Sequence, residues 1–357
     1  MKSNPHAWLL SELKNVPKNG VKVMSTFACG GGSTMGYKRA GCEVIAANDI
    51  DPEMAWHYKR NHAPKHYFLC PIRDLLTAEL PQELFELDIL DGSPPCSTVS
   101  MAGSREDAWG KEKHFREGQA KQVLSDLFFD YLDLVERLKP RVAIAENVKG
   151  MIIGNAKGYT KLVMARFKEL GYRPQLFLLN AADCGVPQRR ERVFFCAVRE
   201  DVSTAPVVLA PKHRWVGVGE ATSDVQVLTA AEIAETKPTP LDLQWWHKTK
   251  PGDGSGYATA REREGGKRAA FTHIRLSEHA PSNSLLAADN TKHWSVCRGL
   301  TYREWKRLGS FPDDYVAKTD KIGKYMIGMS VPPKMAEAVA RAVCSQWLGV
   351  QYQNEAI

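Results

Sequence analysis

A cysteine thiol preceded by two prolines is the group in this sequence with the clearest chemical potential. Cys96 stands directly after Pro94-Pro95, a few residues beyond the apolar run Asp88 to Leu90. Ligands of open α/β sheets bind beyond the carboxyl ends of the strands, which is where this thiol would lie. Because the prolines hold the chain before it extended and rigid, we predict that Cys96 is a nucleophile. The other cysteines are interpreted as ordinary structural thiols.

A glycine-rich loop and an acidic residue follow the first two apolar runs. The segment Val23 to Gly32 passes from a strand-like run into three successive glycines, which allow positive φ angles and close approach of a ligand to the backbone. Asp49 follows the second run and could accept hydrogen bonds from ribose hydroxyl groups. This order predicts a site for a nucleoside-containing cofactor. A dinucleotide and S-adenosylmethionine both fit the pattern.

Charged groups accompany the later runs. Glu146 closes the apolar run that starts at Val142, so its carboxyl group is either a solvated strand end or an acid of the same site. A basic cluster, Gln188-Arg189-Arg190-Glu191-Arg192, stands directly before the run Val193 to Val198. Such a cluster is usually a solvated face, but paired arginines also hold phosphate groups or the oxygen atoms of a base.

Short β-branched runs alternate with helical patterns between residues 21 and 198, which predicts an α/β sheet. The predicted strands are Val21–Phe27, Glu43–Asn48, Asp88–Leu90, Val142–Glu146, Gln175–Leu179 and Val193–Val198. Apolar side chains recur every three or four residues between Val123 and Leu138. They predict a helix over Glu117–Lys139 that Pro140 ends.

Residues 201–290 have a different character. They are rich in proline and glycine and lack strong periodicity. Basic residues are interleaved there with Trp215, Trp245, Trp246 and Tyr257, a mixture that suits phosphate and groove contacts. We predict a second, smaller domain in this region and a closing helix over Met335–Leu348.

Composition places the chain among globular proteins. It has 357 residues, of which 43% are hydrophobic and 25% charged, and its net charge of +7 permits a polyanionic partner without requiring one. No apolar run reaches the roughly 18 residues of a transmembrane helix, and the first residues lack the apolar stretch of a secretory signal. The scattered cysteines argue against a disulfide framework and against a zinc site. We therefore expect an intracellular, cytoplasmic protein without a metal.

Taken in order, these segments resemble the cytosine C5 DNA methyltransferase family. The matching segments are Phe27-Ala28 with the glycine loop, Pro94-Pro95-Cys96, Glu146-Asn147-Val148, Gln188-x-Arg190-x-Arg192, Arg298 to Glu304, Gly309 to Asp313 and Ile327 to Pro333. They span residues 21–340 and leave a stretch unmatched where the family keeps its target recognition region. The resemblance implies a mostly parallel Rossmann-like sheet with helices on both faces, plus a smaller, irregular target recognition domain.

The resemblance implies S-adenosylmethionine-dependent methylation of cytosine C5 in double-stranded DNA. Cys96 would add to C6 of the base, and Glu146 would engage N3 and the exocyclic amine. Arg190 and Arg192 would position the base and favour the thiolate. This chemistry requires the base to be flipped out of the duplex. In the family the loop that matches Ser97–Arg116 closes over the flipped base, and its polar composition here suits a mobile lid.

The resemblance also assigns cofactor contacts by position. They would be Phe27, Ala28, Gly30, Gly31, Gly32, Asp49, Ile50, Ile72, Pro94, Ser330 and Val331. The sequence departs from the family at Cys29, which stands in place of a glycine, at Cys70-Pro71-Ile72, which lacks the acid of Gly-Asp-Ile, and at Met329, which replaces an asparagine. Asp74 is a candidate substitute for the lost acid. Drift with unchanged donor use is the simpler explanation, and a site altered for a modified sulfonium donor is the alternative.

The predicted domains are residues 1–200 for catalysis and S-adenosylmethionine binding, 201–320 for target recognition, and 321–357 returning to the first. We expect a monomeric protein, encoded by a bacterium or a phage, that binds double-stranded DNA. A companion restriction endonuclease is one possible partner. Restriction-modification, phage protection and regulation stay equally open. The alternatives are a tRNA cytosine C5 methyltransferase, a catalytically silent DNA-binding homologue, and a nicotinamide oxidoreductase that would leave Cys96 and Glu146 without a role.

Overall fold

The computed structural model describes residues 4–95, 127–154, 156–225, 227–254, 256–266, 273–287 and 291–352, with the backbone of short strands at 112–113 and 122–123. The chain divides into two compact units. The sheet unit comprises Leu13–Asn180, Glu191–Pro211 and Ala336–Ile357. The small unit comprises Met1–Glu12, Ala181–Arg190 and Lys212–Met335. These bounds differ from the predicted domain boundaries, which fall after residues 200 and 320. Segments of the two units alternate along the chain, and sequence order alone does not reveal this.

A seven-stranded sheet lies at the centre of the described part of the sheet unit. The strands of the chain are β1 Lys22–Thr26, β2 Glu43–Asp49, β3 His66–Leu69, β4 Ile89–Gly92, β5 Glu112–Lys113, β6 Gln122–Val123, β7 Val142–Val148, β8 Tyr172–Asn180 and β9 Glu191–Arg199. The order in the sheet is β3-β2-β1-β4-β7-β9-β8, and only β9 runs against the others. Strands β5 and β6 pair with each other as a separate antiparallel ribbon.

All six predicted strands are confirmed; five of them are apolar runs that the sheet buries, whereas β8 is an edge strand with partly exposed side chains. The sequence missed β3, which forms the sheet's edge beside β2 and keeps its side chains partly exposed. Its apolar run, Tyr67-Phe68-Leu69, is only three residues long and gives a weak local signal. Short strands β5 and β6 were missed for the same reason of length.

The start of the predicted helix over Glu117–Lys139 is wrong. Helix α3 spans Leu127–Leu138, whereas Gln122–Val123 is strand β6. The apolar period continues through Val123 and therefore hides the change from strand to helix. The polar pair Ser125-Asp126, whose residue types favour helix N-caps, is the sequence signal for the later start. The closing helix is confirmed as α11, Pro333–Trp347.

The strand order sets a crevice at one edge of the sheet. From β1 the chain passes through α1 (Gly32–Arg39) to β2 and through α2 (Pro52–His62) to β3, while β4 leads in the other direction through α3 to β7. Right-handed crossovers then place α1 and α2 on one face and α3 on the other. The order reverses between β1 and β4, and ligands of such sheets bind beyond the carboxyl ends at this point.

The small unit is built from short helices joined by long loops. The remaining α-helices among the described residues are α4 Ala156–Glu169 in the sheet unit, and α5 Val218–Ala221, α6 Ala230–Glu235, α7 Pro240–Trp245, α8 Tyr257–Arg263, α9 Tyr302–Leu308 and α10 Asp320–Met329 in the small unit. Trp245, Trp246 and Tyr257 are buried together in a small core. Trp245 and Trp246 are therefore not available for the groove contacts that their mixing with Lys and Arg suggested, because their rings serve as core. Trp215 is half exposed.

Three further features of the described residues bear on function. No helix there is long and apolar enough to cross a membrane. No group of three or more His, Cys, Asp or Glu residues is arranged there to hold a metal ion. The cysteines among the described residues are free thiols, including Cys42 and Cys344, whose sulfur atoms lie 3.7 Å apart.

Candidate active site

The loop after β1 has an unusual backbone. Phe27 and Cys29 adopt φ angles of 53° and 45°, and Gly31 follows with 77°. Side chains disfavour this left-handed region, and non-glycine residues that adopt it cluster at ligand sites. The Ala28 amide donates to the Asn48 carbonyl oxygen at 3.0 Å, which holds the loop against the end of β2. The sequence predicted the loop from its glycines, but not the strained residues before them.

His62 supports this loop from α2. Its Nε2 lies 3.3 Å from the carbonyl oxygen of Gly30. A Cβ atom on Gly31 would lie only 2.2 Å from the same nitrogen, so the loop passes directly over the imidazole ring. Burial, with Lys38 as a second cause, lowers the pKa of His62 to about 3. The ring is therefore neutral at physiological pH, and Nε2 can carry a proton toward the Gly30 carbonyl.

Asp49 joins the same loop to the end of β2. One carboxylate oxygen accepts from the Cys29 amide at 2.7 Å, and the other accepts from the Asp51 amide at 2.9 Å. Burial raises the pKa of Asp49 although these backbone donors oppose the rise. Ile50 follows and is partly buried. The predicted cofactor residues around β1 and β2 thus lie at the carboxyl ends of adjacent strands.

The loop after β3 is held by the neighbouring strand. Asn48 Nδ2 donates to the carbonyl oxygens of Phe68 and Cys70 at 3.0 and 2.9 Å. Ile72, predicted to contact the cofactor, is buried in the main core. Asp74 is exposed. The Tyr67 hydroxyl is buried and has no hydrogen-bond partner among the described residues, which leaves a polar atom available beside this loop.

The segment before the predicted nucleophile is fixed from β7. Asn147 Nδ2 donates to the Pro94 carbonyl oxygen at 2.9 Å, and the Asn147 Oδ1 accepts from the amide of Val148. This buried bond joins the carboxyl ends of β4 and β7. Cys96 and the predicted lid Ser97–Arg116 lie outside the described residues, apart from the backbone of β5.

Glu146 and Arg192 form an ion pair at the same edge. The Arg192 Nε lies 2.9 Å from a Glu146 carboxylate oxygen, and the two side chains are 14% and 11% exposed. The pair forms because β9 runs antiparallel to β7, so that its first residues lie opposite the last residues of β7. Burial lowers the pKa of Arg192 and the Glu146 carboxylate opposes that shift. The structure therefore brings together two of the four predicted catalytic residues.

Arg190 belongs to the small unit. Its side chain is buried, and its Nη1 and Nη2 donate to the carbonyl oxygens of Leu285 and Gly328 at 2.8 and 2.9 Å. Arg190 thereby anchors the end of α10, directly before Met329, Ser330 and Val331. Met329 is 54% exposed, whereas the hydroxyl of Ser330 is buried without a partner among the described residues.

Asp91 is a buried carboxyl group that the sequence analysis did not single out. It accepts hydrogen bonds from Ser25 Oγ at 2.8 Å and from Tyr37 Oη at 3.0 Å. Burial raises its pKa to about 7, against these two donors. An acid inside an apolar strand is the sequence signal that could have found it. His62 was missed as well, and Asn147 was noted only as part of a matching segment, because their contacts join segments that are distant in sequence.

Known proteins provide an independent comparison. The profile of the family described as C-5 cytosine-specific DNA methylase matches residues 21–345. The Type II methyltransferase M.FnuDI of Fusobacterium nucleatum is 30% identical over 90% of this chain and 94% of its own, and M.NgoPII of Neisseria gonorrhoeae is 28% identical over 91% and 96%.

Solved structures share the fold at lower sequence identity. An E. coli prophage protein assigned as a DNA modification methyltransferase has a TM-score of 0.70 at 20% identity, over 92% of this chain and 100% of that one. Spodoptera frugiperda DNMT2 has a TM-score of 0.62 at 15% identity, over 91% and 99%. With the family profile covering most of its length, this chain belongs to the C-5 cytosine-specific DNA methylase family and is a DNA cytosine C5 methyltransferase.

Proposed function

We propose that the protein transfers a methyl group from S-adenosylmethionine to C5 of a cytosine in double-stranded DNA, through a covalent bond between Cys96 and C6. The observation that carries the proposal is the buried ion pair of Glu146 and Arg192 at the carboxyl edge of the sheet. A second contact supports it, because Asn147 fixes Pro94, two residues before Cys96. A carboxylate at the sheet edge, beside the fixed segment that leads to Cys96, suits addition of a thiol to a heteroaromatic ring.

The described residues fit S-adenosylmethionine. The turned loop from Phe27 to Gly31, the acid Asp49 and the unpartnered Tyr67 hydroxyl offer a backbone cradle and polar atoms at adjacent strand ends. When bound, S-adenosylmethionine supplies an electrophilic methyl group on its sulfonium sulfur. Asp49 would hold the ribose, and the small residues Gly30, Gly31 and Gly32 would let it approach the backbone. Ile50, Ile72, Pro94, Ser330 and Val331 complete the proposed set.

The reacting groups of the chain act on the base. The Cys96 thiolate adds to C6, and Glu146 stabilises the electron-rich ring through N3 and the exocyclic amine. C5 becomes nucleophilic and takes up the methyl group, after which it loses its proton to a water molecule. The electron pair of that C–H bond restores the ring as the bond from Cys96 to C6 breaks. Arg192 fixes the position of the Glu146 side chain, and Arg190 positions the end of α10.

The substrate is duplex DNA with the target cytosine flipped out, because the thiol cannot reach C6 inside a stacked helix. The segment 97–116 is the proposed lid over this base, and residues 201–320 are the proposed target recognition domain. Arginine and lysine side chains in that region suit phosphate contacts. The Type II methyltransferase relatives support a modification role. A companion restriction endonuclease and a cytoplasmic, monomeric enzyme complete the proposal.

Mass spectrometry of nucleosides tests the proposal. Mixed-sequence duplex DNA and tRNA are each incubated with the protein and S-adenosylmethionine, and Cys96→Ser is the matched control. We expect 5-methyldeoxycytidine in DNA digests of the wild type and none with the variant. Methylation confined to tRNA would show that the substrate is tRNA and not duplex DNA. Absence of product from both would favour a modified sulfonium donor or a silent DNA-binding homologue.

A further inference from the structure

A cavity of about 250 Å³ lies within the small unit, beside a residue of the basic cluster that the catalytic proposal leaves unused. Arg189 forms one wall. The opposite walls come from three loop segments and include Gly252, Arg275, Ser277, Pro281 and Asn283. Gly252 adopts a φ of 79°, and its amide donates to the Arg275 carbonyl oxygen at 2.9 Å, which holds one loop against the next.

Two arginines are held in place at this cavity. The Arg189 amide donates to the Ser282 carbonyl oxygen and its Nη2 donates to Asn283 Oδ1, both at 2.8 Å. Arg275 Nε donates to the Trp294 carbonyl oxygen at 2.9 Å, and its guanidinium carbon lies 3.6 Å from the ring centroid of Trp246. Such contacts preorganise both guanidinium groups, so little side-chain entropy is lost when a ligand binds.

Donor atoms remain available on both arginines. Among the described residues, Nε and Nη1 of Arg189 and Nη2 of Arg275 have no hydrogen-bond partner. The Ser277 hydroxyl likewise has none there, and Asn283 Nδ2 is a further donor. No carboxylate lines the cavity. A cavity whose lining residues include two arginines held in place and several donors, but no acid, is suited to an oxyanion.

We propose that Arg189, Arg275, Ser277 and Asn283 bind one backbone phosphate of the DNA substrate. This inference rests on the proposed function, which supplies a polyanion as substrate. The shared chemistry is a tetrahedral phosphate, and a phosphodiester and free inorganic phosphate are its two sources. A phosphate contact fixes the position of the duplex and carries no sequence information of its own.

The salt dependence of DNA binding tests this site. Affinity of the full-length protein for duplex DNA is measured by fluorescence anisotropy over a series of KCl concentrations. For Arg189→Gln we expect the slope of log K against log [KCl] to fall by about 0.9, with equal weakening for every DNA sequence. Arg60→Gln is the matched control, because Arg60 is an exposed arginine of α2, outside the cavity and outside the proposed target recognition domain. Its slope should equal that of the wild type.

A second variant, at Asn283, tests the site without removing the Arg189 side chain. Asn283→Asp would place a carboxylate against Arg189, so we expect it to weaken DNA binding and lower the slope as well. An unchanged slope in both variants would overturn the inference while the wild type still binds and methylates DNA. If the variants lost affinity only for DNA with one particular base pair at one position, the inference would be overturned, because the cavity would then read a base. Inorganic phosphate should weaken DNA binding by the wild type more than by Arg189→Gln, at equal ionic strength.

Two further outcomes separate this inference from the proposed function. Binding of inorganic phosphate that Arg189→Gln abolishes, with an unchanged DNA slope, would assign the cavity to the free anion and overturn the DNA contact. A wild type that binds no duplex DNA at all would overturn the proposed function, and this inference with it. Thermal unfolding of each variant checks that the fold is retained.

Discussion

The two units of this protein hold their side chains in place by different kinds of interaction. In the sheet unit, the site groups lie at the ends of strands whose apolar runs form one large core. In the small unit, buried ion pairs hold the loops in place. Lys292 Nζ, for example, lies 2.9 Å from a carboxylate oxygen of the fully buried Asp242. Regular strands place functional groups by topology, whereas irregular loops need specific polar contacts between distant residues. Substitutions should therefore affect catalysis in the first unit and folding in the second.

The largest expected effect is on turnover in the sheet unit. Glu146→Gln removes the charge that pairs with Arg192 and engages the base, so kcat should fall by about 10²- to 10⁴-fold. Glu191→Gln is the matched control, since Glu191 is an exposed acid on β9 that pairs with Lys149. Steady-state methylation of duplex DNA is the measurement. Equal turnover in the two variants would contradict a role for the carboxylate in the reaction.

The corresponding change in the small unit should act on stability. Asp242 accepts from Lys292 Nζ and from Tyr257 Oη, both at 2.9 Å. Asp242→Asn leaves a buried lysine without its counter-charge, so the free energy of unfolding should fall by about 3–5 kcal/mol. Urea denaturation followed by tryptophan fluorescence measures this. Glu262→Gln, at an exposed acid of α8, should change it by no more than about 0.5 kcal/mol, and a similar loss in both variants would refute the distinction.

A paired glycine experiment asks whether the loop after β1 is specifically shaped. Gly31→Ala adds a Cβ at 2.2 Å from His62 Nε2 in a left-handed backbone. Strain of about 1–2 kcal/mol from the backbone alone should weaken S-adenosylmethionine binding about tenfold. Gly158→Ala in α4 meets nothing within 4 Å and should stabilise the fold by about 0.5–1 kcal/mol with unchanged binding. Calorimetric titration with the donor would contradict the prediction if both variants bound equally.

The smallest expected effect is a difference in pH dependence between the units. Burial raises the pKa of Asp91 to about 7, so its stabilising contribution is largest below about pH 4 and is lost as the pH rises toward 7. A hydrogen bond from Arg303 lowers the pKa of Glu232 to about 2, so its contribution is present above about pH 4.3 and is lost as the pH falls toward 2.

Unfolding free energies over a pH series separate these two contributions. Asp91→Asn should flatten the dependence between about pH 4 and 7, whereas Glu232→Gln should flatten it between about pH 2 and 4.3. Each variant is the control for the other. Identical pH profiles for the wild type and both variants would show that neither carboxyl group is perturbed in the folded protein.

The sequence revealed the regular part of the molecule because periodic burial is a local pattern. Apolar runs located β1, β2, β4, β7, β8 and β9, and their ends located Asp49, Glu146 and Arg192. The pairing of Glu146 with Arg192 depends on β9 running antiparallel beside β7, which no local pattern encodes. The contacts of His62 with Gly30 and of Arg189 with Asn283 span 32 and 94 residues of chain. The buried role of Trp245 and Trp246 was missed because irregular loops give no period from which to infer a core.

The covalent role of Cys96 is the central claim, and trapping the adduct tests it most directly. In duplex DNA that contains 5-fluorocytosine, fluorine replaces the hydrogen that C5 must lose as a proton, so elimination stops and the bond between sulfur and C6 should persist. With S-adenosylmethionine present, intact mass spectrometry should find the wild type joined to the DNA strand with one added methyl group, and Cys96→Ser should remain unmodified. An active wild type that forms no such complex, or a complex that survives in Cys96→Ser, would contradict the account.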